Sequence, residues 1–380
     1  MSRYIPTYSK LLVVSDTSMC QDKDNQYAFG PVVKELEALT TFKTIVWIGF
    51  NRGGIGQNKS LVQLKKGNIK LILLPSSGGH NVLHKAFVLL LYPLYCFVIL
   101  KEVLSSKYIH VRAPSNPAVI TMVLSWCFPT KKFWFKYAGN WVGEASWFYK
   151  CQRKLLKYLG ANSKVTVNGN WENQSKHILA FENPCLNQTD RINGQHICEQ
   201  KKMSDKINYC FVGGMNTNKG VDKIIEVLET MAKNDKFGTF HIVGGGELLE
   251  PLQLKAKTFS HKVVFHGFLA KDDICEVYEK CHYIVLPSKS EGFPKVIGEA
   301  MNYGCVPIVS DISCIGQYVQ HNTNGLLIHP ITTQQLQEQL MTSLFIEQKQ
   351  FKTMMMYNYN LAEKFTYEYY EERIVNDIFN

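Results

Sequence analysis

YIVLPSKSEGFPKVIGEAMNYGCVPIVSD, residues 283–311, is the stretch from which the fold can be read. Tyr283 to Pro287 is a short β-branched apolar run that reads as a buried strand, and Cys305 to Ser310 reads as the next. One helix fits between them, with Pro294 in its first turn, where a missing N–H costs nothing, and Gly304 closing it. The free amides of Gly292, Phe293 and Lys295 then point out of a helix N-terminus beside the carboxyl end of a strand. That arrangement is an anion site.

Outward from this unit the same alternation repeats in both directions. After it comes a strand at Leu326 to Ile328, and before it strands at Tyr209 to Val212, Thr239 to Val243 and Val263 to His266. The first half of the chain alternates too, with strands at Lys10 to Ser15, Thr44 to Gly49, Ile69 to Leu74, Tyr108 to Val111, Phe133 to Tyr137 and Lys164 to Val167. Strands separated by helical stretches predict parallel sheets wrapped by helices. The polar run from Asn183 to Lys206 breaks the pattern and reads as a linker. The fold class expected is therefore α/β, two Rossmann-like doubly wound parallel-sheet domains facing across a cleft, with ligands at the strands' carboxyl ends. Residues 1–185 form the first domain and 186–364 the second.

Two carboxylates flank the anion site with seven residues between them, Glu291 in the loop and Glu299 in the helix. At that spacing they are not a hydrogen-bonded pair, but they suit two hydroxyl-bearing groups on either side of a gripped phosphate. A strand-helix-strand unit with two surface glutamates is the plain alternative. Glu-x7-Glu within EGFPKVIGEAMNYGCVPIVSD closely resembles the donor-site signature of the family 4 retaining glycosyltransferases, which use nucleotide-sugars and have a twin-Rossmann (GT-B) architecture. The resemblance implies that Glu291 meets hydroxyls of the transferred sugar and Glu299 the ribose. It also implies that the last helix, 365–380, packs back on the first domain.

The run YCFVGGMNTNKGVDKIIEV, residues 209–227, is a strand, a Gly turn and a helix beginning near Gly220, a second phosphate cradle. The family has Gly-Arg here, then Lys-Gly, and both cations bind the diphosphate. Gly213, Lys219 and Gly220 match, whereas Gly214 stands where the Arg is expected. Gly244, Gly245 and Gly246 end the next strand, as a plain turn or as a place where backbone approaches a ligand. By resemblance Gly246 lies near the nucleotide, and Phe268 and Leu269 pack the base. Gly292, Phe293, Pro294 and Lys295 complete the donor site, with Glu291 and Lys219 in the catalytic roles.

The acceptor side is sparser. Only Gly30 is near the place of the family's first glycine-rich loop. KYAGNW offers Gly139 and Asn140 where the family often has a His. Asn140 is either a donor to a sugar hydroxyl or a loop cap, and Arg112 either an acceptor-phosphate contact or a member of an ion pair. Asp22, Lys23 and Asp24 form an Asp-x-Asp string in what reads as a polar loop, and no metal is assigned to it. Gly54 to Gly56 lacks the third glycine of a dinucleotide fingerprint, so no nicotinamide cofactor is expected.

At 380 residues and 46% hydrophobic content the chain can fill two cores. Eleven cysteines without a C-x-x-C pair fit reduced, packed thiols and argue against zinc or a disulfide framework. The sequons at Asn58, Asn173 and Asn187 then carry no meaning. MSRYIPTYSK has no apolar signal core, which predicts a cytoplasmic protein. Residues 1–190 hold 23 Lys+Arg against 10 Asp+Glu, or +13; the remainder of the total +10 is −3. A basic first half suggests a polyanionic partner. No nucleic-acid motif accompanies the charge, so the partner expected is an anionic membrane surface on the inner face of the cell membrane. Two segments bear on this. Ala86 to Leu100 contains Pro93, is too short to span a bilayer and reads as a packed helix. The helix Glu144 to Leu159 clusters Lys150, Arg153, Lys154 and Lys157 on one face and Trp147, Phe148, Cys151, Leu155 and Leu159 on the other.

The function expected is a retaining glycosyltransferase moving sugar from a nucleotide-diphosphate donor to a glycan or lipid-linked acceptor, in cell-surface polysaccharide synthesis, with no cofactor and no metal. The alternatives are a nucleotide-sugar epimerase on the same scaffold and a non-catalytic donor-binding subunit.

Overall fold

The structure, a computed structural model, describes residues 7–23, 25–52, 60–76 and 82–380, the side chains of 82–89 excepted. Asp24, the Gly54 to Gly56 pair and the sequon at Asn58 lie outside these residues. The chain divides into two compact units, Met1–Phe181 with Tyr367–Asn380, and Glu182–Thr366.

The first unit carries nine strands: β1 (Tyr8–Asp22), β2 (Asn25–Phe29), β3 (Phe42–Asn51), β4 (Leu61–Gln63), β5 (Ile69–Pro75), β6 (Tyr108–Ala113), β7 (Lys132–Tyr137), β8 (Ser163–Val167) and β9 (Ile178–Ala180). Seven run parallel in the order β5-β3-β1-β6-β7-β8-β9. β2 pairs antiparallel with the far end of β1, and β4 with β2. The second unit carries β10 (Ile207–Val212), β11 (Phe237–Val243), β12 (Val263–Gly267), β13 (Tyr283–Leu286), β14 (Val306–Ser310) and β15 (Leu326–Ile328). They are all parallel, in the order β12-β11-β10-β13-β14-β15. That is the doubly wound order, whose direction reverses between β10 and β13.

Four expectations are corrected. β1 does not stop at Ser15. A register shift between Val14 and Ser18 lets it continue, with Met19 and Cys20 buried, so Asp22 ends a strand and does not lie in a loop. The linker from Asn183 to Lys206 contains the helix Gln188–Gln200, started by a capping box between Asn187 and Asp190. Its polar residues Asp190 and Arg191 are buried and paired. Arg191 donates to Asn302 Oδ1 at 2.7 Å, Tyr303 to Asp190 Oδ1 at 3.1 Å, and Asn302 to the Asp190 carbonyl at 2.7 Å. Gly194 touches Asn302 so closely that a Cβ would lie 2.3 Å from its carbonyl oxygen. Pro294 is the N-cap and not a residue of the first turn, because the helix is Lys295–Asn302.

The fourth correction concerns the helix expected over Glu144 to Leu159, which spans Trp147–Lys157. Its buried face is Gln152, Arg153 and Leu156, and Trp147 faces water. The preceding loop folds back over this helix, and the Arg153 guanidinium donates to the carbonyls of Trp141 and Gly143 at 2.8 Å each. Arg153 therefore leaves the basic face. The apolar run Ala86 to Leu100 lies in the helix Val82–Leu104, which continues through Pro93 and buries Tyr95, Ile99 and Val103 against the sheet. No helix among the described residues is long and apolar enough to cross a membrane.

Candidate active site

Where the strand order reverses, a crevice opens at the strands' carboxyl ends, because the two helices that follow diverge to opposite faces of the sheet. In the second unit this crevice is lined by the loops after β10 and β13. Gly220 is where they meet. Its φ is +68° and a Cβ would lie 2.3 Å from the Pro287 carbonyl oxygen, so no other residue fits without moving one loop. The Lys289 amide donates to the Asn218 carbonyl at 2.8 Å and Asn218 Nδ2 to the Ser290 carbonyl at 2.9 Å. Asn216 Oδ1 accepts from the amides of Asn218 and Lys219 at 3.1 and 3.2 Å, closing the turn that aims Lys219. Lys219 Nζ then reaches Glu291 Oε1 at 2.5 Å, with side chains 22% and 13% exposed. Two residues 72 positions apart are thus one ion pair.

The loop after β11 joins from the other side. Gly244 has φ +123°, and a Cβ there would lie 2.0 Å from the Gly213 carbonyl oxygen, while the Met215 amide donates to Gly245 at 2.9 Å. Gly245 abuts the Phe268 ring, which remains 72% exposed and offers its surface as a flat apolar platform; Leu269 beside it is half-buried. Gly246 lies against Met215. At Gly214 there is room, since the nearest atom to an added Cβ is Asn216 Nδ2 at 3.5 Å.

The helix Lys295–Asn302 has no side-chain cap at its N-terminus, leaving its first amides to other acceptors. The loop before it is anchored from behind. Phe293 is buried, its ring stacked on Phe365 at 4.9 Å and tilted against Tyr318 at 4.7 Å, so its side chain packs into the body of the unit. Pro294 is also buried. Asn183 donates to the Phe293 carbonyl at 3.2 Å and the Cys314 thiol to Gly292 at 3.5 Å. Lys295 is half-buried and Lys289 exposed. Glu299 accepts from the Tyr278 hydroxyl at 3.4 Å. Tyr278 is fully buried, and burial, helped by the Glu299 charge, pushes its phenol well above the ordinary range, so it stays a donor.

Tyr278, Asn216 and Asn218 escaped the sequence reading. The asparagines occupy a turn where Asn is unremarkable, and Tyr278 reaches Glu299 from a helix 21 residues upstream. Arg112 and Asn140 lie in the first unit. Of the two readings of Arg112, the ion pair is what the side chain makes, Nη1 to Glu35 Oε1 at 2.8 Å. Of the two for Asn140, the loop cap is observed, its Oδ1 accepting from the amides of Val142 and Gly143 at 3.2 Å.

Residues 195–360 match the family described as Glycosyl transferases group 1. An uncharacterized glycosyltransferase of Haemophilus influenzae is 29% identical over 208 residues, 51% of this chain and 54% of its own. An undecaprenol-linked-glycan alpha-1,4-N-acetyl-D-galactosaminyltransferase of Campylobacter jejuni is 27% identical over 175 residues, 46% of this chain and 45% of its own. The chain thus spans about half the length of these curated relatives. HepE of Anabaena, solved with UDP and glucose, shares the fold at a TM-score of 0.69 and 15% identity, over 96% of this chain and 97% of that one. The residues that match the glycosyl transferases group 1 family include the Lys219–Glu291 pair, and the chain has the two Rossmann-like units of the GT-B fold.

Proposed function

We propose that the chain is a retaining glycosyltransferase that moves a hexose-type sugar from a nucleoside-diphosphate sugar to a glycan or lipid-linked acceptor, in cell-surface polysaccharide synthesis. The observation that carries this reading is the junction of the two loops at the switch point, where Lys219 and Glu291 meet beside an uncapped helix N-terminus. Breaking the sugar–phosphate bond separates a sugar cation from a departing diphosphate. The protein's part is to stabilise the charge that develops on the leaving group. Lys219 and the amides at the start of the Lys295–Asn302 helix hold the diphosphate, with Gly213 and Gly214 close beneath it. Glu291 takes hydroxyls of the sugar, Glu299 the ribose, and Phe268 with Leu269 the base.

The acceptor attacks from the face the leaving group departs, and a phosphate oxygen takes its proton. No protein nucleophile and no metal take part. The curated relative that acts on an undecaprenol-linked glycan supports the lipid-linked acceptor, and with it a place at the inner face of the membrane. Incubation with a panel of nucleotide-sugars, followed by assay of free nucleoside diphosphate, tests the reading. Slow hydrolysis of one donor, unchanged by a chelator and abolished in Lys219→Ala, is expected. Binding of a donor with no hydrolysis would identify a donor-binding subunit, and inversion of a sugar carbon an epimerase.

A further inference from the structure

Three helices of the first unit form one layer on one side of its sheet, Val82–Leu104, Asn116–Cys127 and Trp147–Lys157. Their inward residues, among them Tyr95, Ile99, Val103, Met122 and Leu156, share a core with Ile109, Val111, Phe133 and Phe135 of β6 and β7. Their outward residues face away from the sheet together. On the first helix these are Leu90, Leu94, Phe97 and Leu104, with Leu90 73% and Phe97 66% exposed. Offsets of 4, 7 and 14 place them on one stripe, and Lys101 at offset 11 falls on it too. The second helix has no charged residue in its twelve and exposes Val123 and Trp126. The third exposes Trp147, Tyr149, Lys150, Lys154 and Lys157, and Tyr158 follows it.

Apolar ridges of this extent on a soluble face mark a surface that is covered in use. The charges around it select what covers it. Glu102 is drawn aside by Lys10 at 2.9 Å, and the exposed Glu144 is already paired with Lys150. What remains is aliphatic stripe, aromatic rim and lysine. A second copy docking by a two-fold axis would bring two lysine-bearing faces together. Lipid suits all three, because the stripe enters the acyl boundary, Trp and Tyr sit at headgroup depth, and Lys stems lie along the apolar surface with their ammonium groups on phosphate.

We propose that this layer is a docking surface for a bilayer with anionic headgroups, the Val82–Leu104 helix lying in the interface and not across it. The assignment depends on the first unit alone and stands apart from the donor site. Co-sedimentation of the full chain with phosphatidylglycerol–phosphatidylcholine vesicles tests it. Binding is expected to weaken about 5-fold for each lysine removed in Lys154→Ala and Lys157→Ala, and to fall with salt. Leu90→Ser, Leu94→Ser and Phe97→Ser together are expected to cut binding more than about 10-fold at every salt concentration. All three sites are exposed, so thermal melting matching wild type verifies the fold. The proposal is overturned if wild type stays in the supernatant at low salt, if the triple variant binds like wild type, or if light scattering shows a dimer that the triple variant dissociates.

Discussion

Lys219 and Glu291 neutralise each other. On the proposed function a diphosphate would take Lys219 for itself, which would make Glu291 a competitor for the cation before it is a partner of the sugar. Glu291→Gln is therefore expected to tighten binding of the bare nucleoside diphosphate. A part-exposed pair is worth on the order of 1 kcal/mol, so the gain is about 5-fold, while turnover drops by about 10²-fold or more. In a Lys219→Ala background the same change should leave affinity unaltered. Calorimetry on the four proteins decides it; weaker binding in Glu291→Gln would place that carboxylate on the nucleotide. Glu299→Gln is expected to cost about 1.5–3 kcal/mol of diphosphate affinity by loss of a charge-assisted bond to ribose. Tyr278→Phe should cost about 1 kcal/mol in the same direction, since the carboxylate loses the hydroxyl that holds it. Full affinity in both variants would remove Glu299 from the site. The glutamates stood out in the sequence because their spacing sits inside a readable strand-helix-strand that resembles a known family signature. Tyr278 did not, since nothing local marks a buried Tyr whose hydroxyl serves another helix.

Elements were legible where burial is on both faces. All twelve strands expected from β-branched apolar runs are present, because a parallel strand covered by helices must be apolar throughout. β2 and β4, short and away from the parallel core of the sheet, carry no such run, and β9 is a run of only three residues. The helix Gln188–Gln200 was hidden for the opposite reason: its contacts are hydrogen bonds between buried polar groups, which periodicity of apolar residues does not register. A similar polar joint ties the starts of β10 and β13. The Asn208 amide donates to His282 Nδ1 at 3.0 Å, which fixes the neutral tautomer, and Nε2–H donates to the Lys202 carbonyl at 3.2 Å. Burial, then the nearby Lys201, lowers the His282 pKa to about 4. The neutral ring is what the fold requires, so between pH about 6.5 and about 4 the unfolded chain binds a proton that the folded one refuses. Stability is full above that window and falls as pH drops through it, by about 2 kcal/mol at pH 5 from this group. His241, lowered to about 4 by burial and by His266, adds in the same sense. Denaturant unfolding at pH 7 and pH 5 is expected to show a smaller acid loss in His282→Gln than in wild type, and equal losses would mean that His282 does not titrate in this window.

At the scale of the whole molecule, the first unit is completed by the end of the chain. Tyr370, Ile374, Ile378 and Phe379 are buried in the same core as Phe42, Tyr108 and Trp134, and the Phe379 ring meets Phe42 at 5.7 Å and Tyr108 at 5.2 Å. The segment also reaches the unit's buried charges. Glu35 Oε1 accepts from Arg112 and Lys136 at 2.8 Å each and from the Tyr370 hydroxyl at 3.0 Å, and Glu371 accepts from the Thr41 amide at 2.7 Å. Burial alone would lower the Arg112 pKa, but the Glu35 carboxylate together with Tyr370 and Asp16 outweighs it, so the guanidinium stays charged and needs these partners. Three buried apolar side chains, Ile374, Ile378 and Phe379, at about 1.5–3 kcal/mol each amount to about 4.5–9 kcal/mol before the Tyr370 ring is added, against a typical total of about 5–15 for a domain. A chain ending at Thr366 would also open the Glu35 cluster to water. Scanning calorimetry of the full chain is expected to show the unfolding of both units. The chain ending at Thr366 should lose the transition of the first unit and keep that of the second, whose core lies within Glu182–Thr366. Retention of both transitions would mean that the first unit folds without its closing helix.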